Sequence, residues 1–480
     1  MYTKKEIAKN FAWKLGEGIG DQSINFVISI ILARILSPTD YGLIALTSIF
    51  MNLASKLVLG GINTALIQKK EIDDTDISTA FFITLGSSFA IFLILYNLSP
   101  AIAEFYNNSE LVLIIKILSF QVFITALSAI QYALIIKKMK FKLWCIANIV
   151  SGIISGCISI YLAINGKGVW ALVTYQLLKS VITQLVLWFT LKWRPQIIFS
   201  MKSALSLWRF GYKVLLGSII EFFNNNICEA IIGKKSTKAQ LGFYSKGKQF
   251  PTLFMTVTNN AITTILLPVL AADQDSKNRI KNMMATAIAS SFLFLLPALI
   301  GLMIIAKNLV VILLTPKWVN CVPILQLECL YYVSIIIQQA NLQVFNAVGR
   351  SDINLWLEFI RFILNIPIIF LTIPYGIIAL EIARVSVSFI LMFISIILAQ
   401  NMALLDIKLL FNKLNPIIVT TFIMAVFIIP LGKLQISPML IIILQILTGI
   451  FMYSAICWKL NIGNAKTIIT KYKKNFPSQK

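Results

Sequence analysis

MMATAIASSFLFLLPALIGLMIIA, residues 283–306, runs for twenty-four positions without one charged side chain. A helix rises 1.5 Å per residue, so about 20 such residues cross the ~30 Å hydrocarbon core of a bilayer. The segment is long enough to span a membrane and too apolar to face water. Comparable stretches lie near 11–36, 42–66, 77–97, 111–136, 143–165, 169–191, 205–232, 241–271, 321–347, 355–374, 376–400, 414–432 and 438–460, which with 283–306 makes fourteen expected helices. No connecting loop is long enough to be a domain. Pro251, Pro268, Pro297, Pro323 and Pro367 fall inside these segments, where proline kinks a helix.

The composition points the same way. Of 480 residues, 58% are hydrophobic and 13% charged, whereas soluble domains carry about 25% charged residues; the mean hydropathy is +0.84. A water-soluble globule, a collagen-like or disordered chain and a small disulfide-stapled protein are all excluded. Histidine is absent, which removes every mechanism built on an imidazole base, ligand or proton shuttle. The six cysteines, Cys145, Cys157, Cys228, Cys321, Cys329 and Cys457, show no C-x-x-C spacing and sit mostly in apolar runs, so neither a disulfide framework nor a zinc site is expected. No G-x-x-x-x-G-K-[ST] occurs, and transport powered by nucleotide hydrolysis on this chain is excluded. No cofactor, no metal and no enzymatic activity are expected.

The net charge of +23, from 42 Lys and Arg against 19 Asp and Glu, reads as topology rather than as a nucleic-acid footprint. Cytoplasmic loops of membrane proteins collect cations. With an even helix count both termini share one side, and that side receives Lys4, Lys5, Lys9, Lys69, Lys70, Lys137, Lys138, Lys140, Lys142, Lys192, Arg194, Lys202, Lys277, Arg279, Lys281, Arg350, Lys408, Lys413 and the tail lysines. Both ends are therefore expected in the cytoplasm. One opposite turn breaks the rule, with Lys234, Lys235, Lys238, Lys246 and Lys248 between the seventh and eighth segments. Either that turn is functionally cationic or the count slips there. Met1 to Lys14 is polar and basic, so no cleavable leader is expected and the first helix is its own insertion signal.

The chain shows signs of an internal duplication. Trp13-Lys14-Leu15-Gly16 opens the first helix and Trp208-Arg209-Phe210-Gly211 the seventh; Asp40-Tyr41-Gly42 and Gln240-Leu241-Gly242 open the helices that follow. Lys14, Glu17, Asp21, Asn25 and Ser29 share one helix face, as do Ser218, Glu221, Asn225 and Glu229. Parallel repeats of this kind set their first helices beside a cavity in several transporter folds. The expected division is a six-helix lobe over 1–200, a second over 201–402, two further helices over 403–460 and a basic tail over 461–480.

A charge at a helix centre costs about 2.5–3.5 kcal/mol even on the mildest scale, so it is kept only where it is paired, wet or used. Glu358 with Arg361 and Glu381 with Arg384 repeat the same i, i+3 spacing, which fits mutual neutralisation at a packed interface as well as a face turned to substrate. Gln326, Glu328, Gln338, Gln339 and Asn341 fit interhelical hydrogen bonding. Arg34, Arg209 and Lys213 lie near helix ends, where snorkelling accounts for them. The carboxylates Glu17, Asp21, Glu221 and Glu229 lie on the two polar stripes, where they would bind Na⁺ or carry protons.

Ile31-Leu32-Ala33-Arg34-Ile35-Leu36-Ser37-Pro38-Thr39-Asp40-Tyr41-Gly42 is similar to the ARxLxPxDYG segment near the start of Wzx-type polysaccharide flippases. Leu241-Gly242-Phe243-Tyr244-Ser245 with Leu267-Pro268 resembles the second-half LGxYS…P segment of that family, and Lys317-Trp318, Pro323 and Gly349-Arg350-Ser351-Asp352 resemble its C-terminal half. The resemblance spans nearly the whole chain. It implies the multidrug/oligosaccharidyl-lipid/polysaccharide exporter fold: an all-α integral membrane protein of about fourteen transmembrane helices, two pseudo-symmetric six-helix lobes around a central cavity plus two C-terminal helices. It further implies translocation of undecaprenyl-diphosphate-linked oligosaccharide repeat units across the bacterial inner membrane for O-antigen, capsule or exopolysaccharide assembly. Partners would be the lipid-linked oligosaccharide, membrane lipids, H⁺ or Na⁺, and a polysaccharide polymerase with other assembly proteins. Fold analogy and burial together make Arg34, Arg361 and Arg384 candidate substrate contacts and Glu17, Asp21, Glu221 and Glu229 candidates for ion coupling. Two rivals are a multidrug and toxin extrusion exporter, usually of twelve helices, and an integral-membrane polymerase or ligase, which would need a larger outer loop.

Overall fold

The structure, a computed structural model, describes residues 4–59, 61–69, 72–137, 139–191, 193–272, 277–348, 350–402 and 404–462. Within these the chain is helical, with no strand among the described residues. The helices are α1 (Lys4–Ile35), α2 (Pro38–Leu59), α3 (Ile62–Gln68), α4 (Asp74–Phe105), α5 (Glu110–Lys137), α6 (Phe141–Ile164), α7 (Val169–Thr190) and α8 (Met201–Lys235). They continue as α9 (Lys238–Ala272), α10 (Lys277–Leu314), α11 (Val322–Ala347), α12 (Ser351–Thr372), α13 (Ile377–Asn401), α14 (Ile407–Leu431) and α15 (Pro438–Lys459).

The fourteen expected segments each fall on one long helix, except that 42–66 is divided into α2 and α3 at the Gly60-Gly61 pair. Eleven described helices are long and apolar enough to cross a bilayer by length and composition. Of the other long ones, α8 carries the polar stripe Ser218, Glu221, Asn225 and Glu229, which lowers its hydropathy, while side chains in parts of α1 and α9 lie outside the described residues. A multi-pass membrane protein results. The five lysines near residue 240 do not form one loop: Lys234 and Lys235 close α8, Lys238 opens α9, and Lys246 and Lys248 lie inside α9. Lys234 Nζ donates to the Phe105 carbonyl and sits 4.5 Å from the centre of the Phe105 ring, tying the end of α8 to the end of α4.

The duplication is written into the helix ends. Ser37 and Asp40 close a capping box at the start of α2, with Ser37 N donating to Asp40 Oδ2 at 2.9 Å and Asp40 N to Ser37 Oγ at 3.3 Å. Thr237 and Gln240 repeat it at the start of α9, at 3.1 and 3.2 Å. Each box satisfies two backbone donors that a helix start would otherwise leave without partners. Left-handed residues recur at a fixed spacing as well: Asn107 (φ 51°) and Thr315 (φ 82°), then Gly168 (φ 53°) and Gly376 (φ 98°), each pair 208 positions apart.

Two units group by packing, residues 1–245 and 246–480. In the first, α1 lies on α6 and α6 on α7, α4 lies on α5, and α8 runs along α2, α3 and α4. In the second, α10 carries α11, α14 and α15, while α13 packs on α11 and α12. The duplication puts α8 at the head of the second repeat, yet α8 packs in the first unit because glycines let its backbone approach: a Cβ on Gly61 would lie 2.7 Å from the Gly211 carbonyl oxygen.

The tightest approach joins the two repeated segments to each other. A Cβ on Gly42 would lie 1.9 Å from the Lys238 carbonyl oxygen, and one on Gly242 2.0 Å from that of Pro38. Main chain faces main chain, so no side chain can yield. Overpacking costs about 1–3 kcal/mol; Gly42→Ala and Gly242→Ala should each lower the melting temperature of the purified protein. Gly217→Ala, where an added Cβ meets nothing within 4 Å, serves as the control and should leave it unchanged. Equal melting temperatures for all three would show that the crossing is not tight.

Candidate substrate cavity and buried charge networks

A cavity of about 580 Å³, lined by amide side chains among apolar groups, opens inside the first unit, walled by α2, α3, α5 and α8. From α2 come Asn52, Ser55 and Lys56, from α3 Asn63 and Thr64, from α5 Tyr132 and Ile136, and from α8 Glu221, Phe222, Asn225 and Asn226. Lys56 Nζ stands 3.6 Å from Glu221 Oε2, both side chains about half exposed. Asn63 is 8% exposed, and its Oδ1 is buried without a hydrogen-bond partner. The break between α2 and α3 turns the chain so that Asn63 reaches this wall. Tyr132 is held in place by Trp144, 4.4 Å away between ring centres.

Asp21 and Asn25 on α1 lie 200 positions before Glu221 and Asn225, and their surroundings differ. Lys179 of α7 donates to Asp21 Oδ1 at 2.7 Å and to Asn25 Oδ1 at 2.8 Å; Tyr175 OH donates to Asn25 Oδ1 at 2.5 Å, and Asn25 Nδ2 to Asp21 Oδ2 at 3.0 Å. The first-repeat pair is thus engaged by a neighbouring helix, while the second-repeat pair lines a cavity. Glu229, two turns along α8, is half-buried outside that cavity. The side chain of Glu17 lies outside the described residues.

The two E-x-x-R pairs belong to the second unit, and both are anchored on α11. Arg384 Nη2 donates to Glu381 Oε1 at 2.6 Å and its Nε to Glu381 Oε2 at 3.0 Å; Nη2 also meets Glu328. Both glutamate side chains are fully buried, and the guanidinium lies 4.1 Å from the centre of the Tyr331 ring. Arg361 is held more lightly, by Glu358 at 2.9 Å and the Gln338 amide oxygen at 2.6 Å. Gln338 continues to Ser388 of α13, which meets Ser334 at 2.5 Å, and one heptad on Asn341 donates to Ser395 at 2.9 Å. This polar seam ties α11 to α13. Arg34 stands apart from these networks by position, exposed in the last turn of α1, where a cation complements the helix dipole.

Lys56, Lys179 and Asn63 are among the participants that escaped the sequence reading. Lys179 carried a usable signal, since a lone lysine in the middle of an apolar helix requires a partner. A further cavity of about 720 Å³ lies among α10, α14 and α15, lined almost wholly by apolar groups such as Leu293, Pro297, Ile428, Ile446 and Ile450.

The family model described as polysaccharide biosynthesis protein matches residues 31–323. The chain belongs to that family. It is 21% identical over 74% of its length, and 72% of the relative's, to the succinoglycan biosynthesis transport protein ExoT of Rhizobium meliloti (strain 1021). It is 26% identical over 71% of its length, and 69% of the relative's, to the lipopolysaccharide biosynthesis protein WzxC of Escherichia coli (strain K12). Its fold is that of the lipid II flippase MurJ in an inward closed conformation, with a TM-score of 0.74 at 15% identity over 95% of this chain and 98% of the other.

The two arginines should separate on substitution. Removing one partner of a buried ion pair leaves the other uncompensated, at about 3–5 kcal/mol. Arg384→Ala, which abandons two fully buried glutamates, should sharply lower the amount of folded protein in membranes. Arg361→Ala, abandoning the part-exposed Glu358, should leave that amount near wild type. Quantitative immunoblotting of membranes checks both; equal losses would show that burial does not rank them.

Proposed function

We propose that this chain moves undecaprenyl-diphosphate-linked oligosaccharide repeat units from the cytoplasmic to the outer leaflet of the bacterial inner membrane, for assembly of a surface polysaccharide. Family membership over residues 31–323 together with a flippase fold over 95% of the chain carries the reading. The physical task fits the molecule. A flippase must hide sugars from hydrocarbon while an isoprenoid chain stays in lipid, and this protein holds an asparagine-bearing cavity of about 580 Å³ and an apolar one of about 720 Å³. Transport does not break or form a covalent bond in the cargo, in keeping with a chain that contains no histidine.

In this reading both termini are cytoplasmic, the two six-helix repeats over 1–200 and 201–402 alternate access, and the basic tail lies at the cytoplasmic surface. Coupling to H⁺ or Na⁺ falls to the carboxylates of α1 and α8. Asp21 takes a cation only by releasing Lys179, which stands 2.7 Å away, so ion binding and the α1–α7 contact are linked. Arg34 in the first unit and Arg361 in the second are each candidate contacts for the diphosphate, and Arg384 holds α13 to α11. A polymerase receives the unit on the outer side.

The test is the fate of the lipid-linked unit in cells lacking the gene, probed with a membrane-impermeant sugar-labelling reagent. The intact unit should accumulate unlabelled, and re-expression should restore labelling. A unit that is labelled normally but left unpolymerised would place the protein after translocation.

A further inference from the structure

We infer that the cavity walled by α2, α3, α5 and α8 is a carbohydrate subsite that reads uncharged hydroxyl groups and does not take the diphosphate. The inference rests on the reading that the cargo is a lipid-linked oligosaccharide, and deepens it by assigning where the sugar is held. Four asparagines, Asn52, Asn63, Asn225 and Asn226, line the cavity with Ser55 and Thr64. A carboxamide has an acceptor oxygen and two N–H donors, which matches a sugar hydroxyl that both gives and takes a hydrogen bond; Asn226 has one donor engaged by the Phe222 carbonyl at 2.8 Å.

Asn63 adds a spare acceptor at this wall. Its side chain is more than nine-tenths buried, and its Oδ1 has no hydrogen-bond partner, which is costly; the oxygen is sealed beneath the lining, so a donor reaches it only when the amide turns toward the cavity. A hydroxyl group can supply that donor; a phosphate, which only accepts, does not. Charge argues in the same direction. Among the described residues the cavity's one lysine and one glutamate, Lys56 and Glu221, face each other at 3.6 Å, so the described lining is formally neutral, without the surplus cations that a diphosphate demands. Tyr132, fixed against Trp144, and Phe222 supply apolar walls beside the amides. The volume of about 580 Å³ falls in the ~300–1,000 Å³ range of small-molecule sites.

The comparison between repeats supplies the contrast. Asn25 is engaged by Tyr175 and Lys179, whereas Asn225, at the repeated position, lines the cavity. The duplication provided the same polar positions twice; one copy braces two helices and the other is turned to cargo.

The experiment uses full-length protein in lipid nanodiscs and two probes: the oligosaccharide released by mild acid from the cells' own lipid-linked unit, and inorganic pyrophosphate. Calorimetric titration should show saturable binding of the oligosaccharide that pyrophosphate does not displace. Asn63→Leu and Asn225→Ala should each raise its Kd about tenfold. Because Asn63→Leu replaces a buried amide, Asn225→Ala, whose side chain is exposed, decides alone if melting temperatures differ. Displacement by pyrophosphate, an unchanged Kd in a folded variant, or no oligosaccharide binding to wild type would each overturn the inference. The impermeant-label assay on wild-type cells keeps the two claims apart. If wild-type protein delivers the unit outward while the oligosaccharide fails to bind this cavity, the subsite falls and the flippase reading stands.

Discussion

Hydrocarbon offers no hydrogen bonds and little relief for charge, so every polar side chain in a membrane-spanning helix must find its partner inside the protein. Much of this structure follows from that demand. Lys179 reaches across to Asp21 and Asn25, Arg384 gathers Glu381 and Glu328, and Ser and Asn side chains pair along the α11–α13 seam. These contacts hold helices together where apolar surface cannot, because lipid tails solvate leucine as well as another helix does. Small residues complete the effect by letting backbones meet, at Gly42 with Gly242 and at Gly61 with Gly211.

Against that background an unanswered polar group is informative. The cavity between α2, α3, α5 and α8 keeps a row of amides and a buried carbonyl oxygen without a partner. In the proposed subsite these are the groups that a sugar hydroxyl would complete. The braced networks and the open cavity are two uses of one repeated polar stripe. Position 21 braces and position 221 lines the cavity, which is how a duplicated chain can divide scaffold and recognition between its halves.

The helix count was legible because hydrocarbon imposes a length and a hydropathy that sequence displays directly. The polar stripes on α1 and α8 were equally legible, because helical periodicity puts their members on one face. The split of 42–66 between Leu59 and Ile62 was not legible in hydropathy, which read the segment as one helix. The lysines near residue 240 misled as a loop count because Lys246 and Lys248 lie within a helix. The i, i+3 pairing of Glu358 with Arg361 and of Glu381 with Arg384 was local, and so readable; the capture of Arg384 by Glu328 and of Arg361 by Gln338, 56 and 23 residues away, was not.

By itself the sequence determined the solvent, the helices, the repeat and the polar faces, all of which depend on residue spacing of four or on windows of about twenty. Tertiary structure alone decided which polar faces were satisfied and which were left open. Lys179 meets Asp21 across 158 positions, Lys56 meets Glu221 across the cavity, and Asn63 is stranded at a helix break. Such partnerships depend on how helices pack, and packing is set by shape and by close glycine contacts between distant segments, for which one strand of sequence carries no local signal.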